Sequence, residues 1–291
     1  MKRMYSVPTI GLILALLLAG KLTQAQTYFS VEVKGKGKPM ILIPGLFCSG
    51  EVWKETVEHF QKKYECHVIT IAGFGTVAPN LTENFLETVK NDIIAYTKDK
   101  KMKKPVILGH SLGGFLSYWV AASAPDLYGK VIAVDGLPFF PAIMIPGGAT
   151  VETAKPMATN MRNMITSQSN EQTAASQKVM LANLISNSER IDQVAAMASK
   201  ADLKTQGQVA YEMYTTDLRP TIASINCPVL VLGAWVAFKN YGVTHESTMK
   251  NFEDQVALIK NCTIELTDTG KHFIFYDEPA WFYERVENFL K

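Results

Sequence analysis

The stretch Val106–Gly114, reading VILGHSLGG, constrains the fold more tightly than any other segment of the chain. Aliphatic residues lead straight into Gly-His-Ser-Leu-Gly-Gly, and the largely apolar run FLSYWVAASAP follows. A buried strand, a sharp turn and a helix are written in one short segment. A turn that sharp strains the serine backbone and presses strand against helix, so the residues two before and two after it must be small. Gly109 and Gly113 meet that demand. A serine hydroxyl is a weak nucleophile until a base takes its proton and the fold exposes it. The turn exposes Ser111. A helix opening at Leu112 directs its free N–H groups at any anionic oxygen that forms beside the serine.

The rest of the chain alternates short apolar strands with amphipathic helices, which predicts an α/β fold with a mostly parallel sheet flanked by helices. YFSVEV, MILIP, CHVITIAG, PVILG, KVIAVDG, PVLVLG and CTIELT read as strands. GEVWKETVEHFQKKY reads as a helix with Val52, Trp53, Val57 and Phe60 inward, and LTENFLETVKNDIIAYTKDK as one capped by Thr82. From Leu137 to about Arg219 the alternation stops, and a Met-, Ala-, Asn- and Ser-rich stretch reads as a helical insertion. Its methionines (144, 157, 161, 164, 180, 197 and 213) suit an adaptable apolar lining. With 291 residues, 47% of them hydrophobic, the chain can bury a full core. A net charge of +2 gives no reason to expect nucleic acid as a partner.

A base for Ser111 has to be one of five histidines. His59 lies on a helix, His67 inside a strand, His110 in the turn itself, and His245 at a helix start. His272, in TDTGKHFIFYDEP, occupies a loop after the last strand that can reach the serine across the sheet's carboxyl edge. A second oxyanion donor besides the Leu112 amide is available in ILIPGLF, where Leu46 follows Pro44-Gly45 at a strand end.

These segments together resemble the α/β-hydrolase superfamily over nearly the whole chain after the N-terminal leader. IPGLFCSGEVW is similar to its oxyanion stretch with proline in place of histidine, IAGFGTVAP to its glycine-rich loop, GHSLGG to its nucleophile elbow, and GKHFIFYDEP to its histidine loop. The resemblance implies an eight-stranded sheet with a helical cap between strands six and seven. With a leader at 1–25, read from its own layout below, the chain divides into a core at 26–136 and 221–291 and a cap at 137–220. The family's acid usually follows strand seven, but AWVAFKNYGVTH carries no Asp or Glu before Glu246. Some capped members carry it after strand six, and VIAVDGLPFF places Asp135 there. Asp135 is the expected acid, accepting the His272 Nδ1–H bond, with Glu246 as the alternative. The expected function is a serine hydrolase of an ester or related acyl bond. Phe47, Phe139, Phe140 and Trp235 lie near the predicted site, which favours a small apolar substrate. Lactonases, aminopeptidases and carbon–carbon hydrolases share the scaffold, and a non-catalytic binder is the rival from another class. No H-E-x-x-H, C-x-x-C or G-x-x-x-x-G-K occurs, so no metal or cofactor is expected.

The first residues read separately. Lys2 and Arg3 precede an apolar run, Ile10–Ala19, and then small and polar residues, the layout of a secretory signal peptide cleaved after about Ala25. That run is too short to span a bilayer, which takes about 20 residues, so a secreted or periplasmic protein without stable membrane insertion is expected. In such a compartment disulfides persist, and Cys227 and Cys262, each opening a strand-like run, are the candidate pair. The alternative is four unpaired cysteines. Oligomeric state is not legible.

Overall fold

The computed structural model describes residues 28–145 and 147–291. The expected signal peptide at 1–25 lies outside them. Seven strands form one sheet: β1 (Phe29–Gly35), β2 (Lys38–Ile43), β3 (Tyr64–Ile71), β4 (Val106–His110), β5 (Lys130–Val134), β6 (Val229–Ala234) and β7 (Cys262–Thr267). Their order is β1-β3-β2-β4-β5-β6-β7; β1 runs antiparallel to β3 and every other pair is parallel. This is the expected α/β architecture with seven strands among the described residues rather than eight. Only Lys36 and Gly37 separate β1 from β2, so the described chain has no room for another strand there.

Side chains alternate across the central strands, as the period of two demands. Ile41, Ile43, Ile107, Val131 and Ala133 join one buried cluster, while Met40, Leu42, Leu108, Ile132 and Val134 join another. The first face is covered by α2 (Phe85–Asp99) and α3 (Leu112–Ser123). The second is covered by α1 (Lys54–Phe60) and the C-terminal helix Pro279–Leu290. Val52, Trp53, Val57 and Phe60 are buried as their spacing predicts. Burial of both faces explains why these strands are nearly continuous apolar runs.

Between β5 and β6 the described residues form four α-helices: α4 (Val151–Thr166), α5 (Asn170–Leu184), α6 (Ser188–Ala198) and α7 (Leu203–Thr215). α4 packs on α7 and α5 on α6, and α7 also meets α2. That last contact corrects one expectation. Helix α2 begins at Phe85 after Asn84, and the Thr82 hydroxyl, expected as its cap, is buried without a partner. Instead the Glu212 carboxylate of α7 accepts the Phe85 and Leu86 N–H groups at 2.9 and 2.7 Å. The chain is completed by α8 (His245–Val256) after β6, and by α9 (Ile274–Asp277) and α10 (Pro279–Leu290) after β7. No helix among the described residues is long and apolar enough to cross a membrane.

All four cysteines are free. The β6–β7 register sets Cys262 beside Val229, two residues beyond Cys227, so the two candidate partners do not start their strands side by side. Burial pushes the Cys48 and Cys262 thiols up to about 12 and the Cys66 thiol to about 11, which leaves them protonated and unreactive at neutral pH.

Candidate active site

Ser111 sits between β4 and α3 with φ 53° and ψ −115°, a conformation sparsely populated by non-glycine residues. Its neighbours hold it there. The Ser111 N–H donates to the Val134 carbonyl at 2.9 Å, and its own carbonyl accepts the Phe115 N–H at 3.0 Å. The two glycines are required sterically. A Cβ on Gly109 would collide with the Gly113 carbonyl, and one on Gly113 would collide with the Ile43 carbonyl. Either methyl would force strand and helix apart and dismantle the turn that presents the half-buried serine.

The segment after β2 reaches the same place. A Cβ built on Gly45 would lie 3.3 Å from the Ser111 Cβ and 2.9 Å from the His110 Nδ1, so Gly45 packs directly on the serine turn. Gly45 to Cys48 forms a turn closed by the Cys48 N–H on the Gly45 carbonyl at 3.1 Å. Leu46 lies in that turn, half-buried, next to the residue that touches the serine. The Leu112 side chain is wholly buried, and its N–H belongs to the first turn of α3, which has no intrahelical acceptor.

His272, after β7, places its Nδ1 2.5 Å from the Asp135 Oδ2. Asp135 caps the end of β5 with φ 45°; its N–H donates to the Leu232 carbonyl at 2.7 Å, and its Oδ1 accepts the Ala234 N–H at 3.0 Å. A carboxylate only accepts, so the His272 proton resides on Nδ1 and Nε2 carries the free lone pair. The fold therefore brings Asp135, not Glu246, to His272. Glu246 is exposed in the first turn of α8, where its own N–H and the Thr244 hydroxyl hold its carboxyl below the usual range.

The remaining histidines lie elsewhere or play other parts. His59 pairs with Glu287 and stacks on Tyr283, and His67 is held by Glu65 and Tyr96. His110 is a residue that sequence reasoning passed over. Wholly buried, it donates from Nε2 to the His272 carbonyl at 3.1 Å, with the two rings 4.5 Å apart. Burial, and then the neighbouring His272, push its basicity well below that of an ordinary histidine. It stays neutral and braces the loop.

The expected apolar lining divides. Phe47 is buried against Ile165, Ala198, Ala201 and Ala210 from the inserted segment, and Leu46 and Met161 pack on the same cluster. Trp235 is half-buried and follows Ala234, whose N–H holds Asp135. Phe140 is half-buried, its ring 5.2 Å from Tyr214. Phe139 departs from expectation. It is fully enclosed, with the Arg219 guanidinium 4.7 Å from its ring centre, and presents no face to a ligand. Composition alone does not separate a core aromatic from a lining one.

Residues 40–285 match the alpha/beta hydrolase family. The chain belongs to that family. Pimeloyl-[acyl-carrier protein] methyl ester esterase of Vibrio parahaemolyticus is 33% identical over 108 residues, 37% of this chain and 40% of that protein. The chain thus spans about two fifths of the length of the curated relatives it matches. A thermophilic esterase from Thermogutta terrifontis shares the fold with a TM-score of 0.72 at 20% identity, covering 90% of this chain and 92% of that one. The enol-lactonase from Burkholderia xenovorans does so with a TM-score of 0.70 at 18% identity, covering 90% and 96%.

Proposed function

We propose that this α/β hydrolase is an exported serine hydrolase that cleaves a carboxylic ester of a small apolar acid through Ser111, His272 and Asp135. The observation that carries the reading is the Asp135–His272 bond, made from the end of β5 to the loop after β7, beside the strained Ser111 turn. It also weighs against the non-catalytic alternative, because it supplies an acid for His272 where AWVAFKNYGVTH carries none before Glu246.

Ser111 Oγ attacks the ester carbonyl while its proton passes to His272 Nε2. The new C–O bond turns the carbonyl oxygen into an oxyanion, which the Leu46 and Leu112 N–H groups receive. Asp135 holds the imidazole in the required tautomer and balances the charge of the imidazolium. The intermediate collapses, the bond to the alcohol oxygen breaks, and His272 returns its proton to the leaving alkoxide. Water, giving a proton to the same nitrogen, then attacks the acyl carbonyl; the bond to Ser111 Oγ breaks, His272 returns the proton to Oγ, and the acid is released.

An apolar acyl group is supported by Leu46 and Phe47, which meet Met161 and its neighbours from residues 137–220 beside the serine turn. We assign those residues the role of a cap. Export is supported by the Lys2-Arg3 start and the apolar run that follows. Turnover of a p-nitrophenyl ester series by wild type, Ser111→Ala and His272→Ala tests the mechanism. Both variants should lose several orders of magnitude in kcat, by similar factors because triad members act as a unit. Turnover surviving in Ser111→Ala would sink the reading.

A further inference from the structure

Phe47 is a bulky residue at φ 62°, in a turn position that favours glycine or asparagine. It adjoins Leu46, whose amide the proposed reaction uses. Such a conformation is strained and persists only where surrounding structure imposes it. Here the imposing group comes from a distant helix. The Phe47 N–H donates to the Gln206 Oε1 of α7 at 3.0 Å, and the Gln206 Nε2 donates to the Gly73 carbonyl at 3.2 Å. Gln206 is wholly buried with both ends of its amide engaged. Gly73 follows β3 at φ 79°, and its carbonyl also accepts the Asp202 N–H at 2.8 Å. A Cβ there would collide with Thr205, so α7 is seated tightly on this loop.

We propose that Gln206 is a positioning residue for the oxyanion hole, through which the cap sets the orientation of the Leu46 backbone. The Leu46–Phe47 peptide is the free element in the turn, because rotating it relieves the left-handed strain at Phe47. Gln206 accepts from that peptide's N–H in its strained orientation and blocks the rotation. Without the acceptor, a buried N–H loses its partner and the turn gains a second reason to rearrange. The Leu46 N–H sits on the preceding Gly45–Leu46 peptide, joined to the rotating one at the Leu46 Cα, so a rearranged turn carries that donor off the position where charge develops. A displaced oxyanion donor lowers transition-state stabilisation and leaves ground-state binding largely intact.

This inference rests on Ser111 being the nucleophile, and the test separates the two ideas. Gln206→Met removes both hydrogen bonds at similar volume, and Gln206→Asn keeps the polarity but falls a methylene short. Each is compared with wild type in p-nitrophenyl acetate hydrolysis and in phenylboronic acid binding. Ser111 Oγ adds to the boron and its proton passes to His272, giving a tetrahedral anion that occupies the oxyanion hole. The expected result is a fall in kcat of about 10- to 100-fold, a loss that stays below outright removal of one donor. Boronate affinity should weaken by the same factor, with KM changing less than about twofold. Should Gln206→Met fail to fold, Gln206→Asn carries the comparison. Unchanged kcat and boronate affinity in a folded variant, or a loss confined to KM, would overturn the role of Gln206 while Ser111 chemistry stands. A wild-type protein inert to both reagents would overturn the two together.

Discussion

The two oxygens of Asp135 are held from different sides: Oδ2 accepts from His272 Nδ1 and Oδ1 from the Ala234 N–H. Asp135→Asn keeps the shape but offers an N–H where an acceptor is needed, so the imidazole tautomer is disturbed and the imidazolium loses its counter-charge. The same change in the triad of a serine protease lowers kcat by about 10⁴. Here we expect a fall of about 10² or more in ester hydrolysis, with the fold intact, because the Ala234 and Leu232 contacts still hold the loop that faces the ring. Glu246→Gln should stay within about twofold, and the reverse ranking would move the acid to α8. His110 makes a separate prediction. Burial holds its folded-state basicity well below the ordinary value, so near pH 6.5 and below the unfolded chain binds a proton that the native ring refuses. Stability from this residue is complete above about pH 6.5 and declines as the pH falls below it. Thermal melts of His110→Gln, which keeps a donor for the His272 carbonyl, should show a shallower acid slope than wild type. An equal slope would remove His110 from the cause.

At the scale of elements, the inserted helices are tied to both loops of the site. The C-terminal end of α5 leaves carbonyls that the histidine loop satisfies: Lys271 Nζ donates to Ala182 and Ile185 at 3.0 and 3.4 Å, and the Phe273 N–H to Leu184 at 3.3 Å. A cation at a helix C-terminus also suits its dipole. Helix α7 supplies Gln206 to the turn after β2 and Glu212 to the start of α2. Glu212→Ala would strip two buried N–H groups of their acceptor, at a cost of about 2–4 kcal/mol. A fall in Tm of about 5–10 °C is expected for a domain of this size; a change below about 1–2 °C, the shift of a neutral surface substitution, would show that the α2 start finds other partners. These ties also mark what could be read beforehand. The strands were legible because their apolar runs are local, and so was the meeting of Asp135, at the end of β5, with His272, in the loop after β7, because both segments have a recognisable setting. Gln206 and Glu212 were not. Their partners lie 159 and 127 residues away in sequence, and one polar residue within a helix carries no local sign of such a bond. Thr82 was misread for the same reason, since a good capping residue loses to a carboxylate that only tertiary docking delivers.

For the molecule as a whole, the proposed function assigns the reacting groups to the sheet and control of what reaches them to the helices of residues 137–220. Met161 packs on the cluster that holds Leu46 and Phe47, whereas Met164 and Met180 are exposed. Met161→Glu should therefore lower turnover of long-chain p-nitrophenyl esters at least about tenfold more than that of the acetate, because a charge is costly to bury against an acyl chain. Met164→Glu should alter neither. Equal losses on short and long esters at Met161 would make the cap a purely structural element. The central claim, that the β4–α3 turn presents an activated serine, is tested most directly by a fluorophosphonate followed by peptide mapping of the adduct. The account predicts a single phosphonylated residue, Ser111, with labelling abolished in Ser111→Ala and slowed severely in His272→Ala. No adduct on the folded wild-type protein, or an adduct at any other residue, would contradict it.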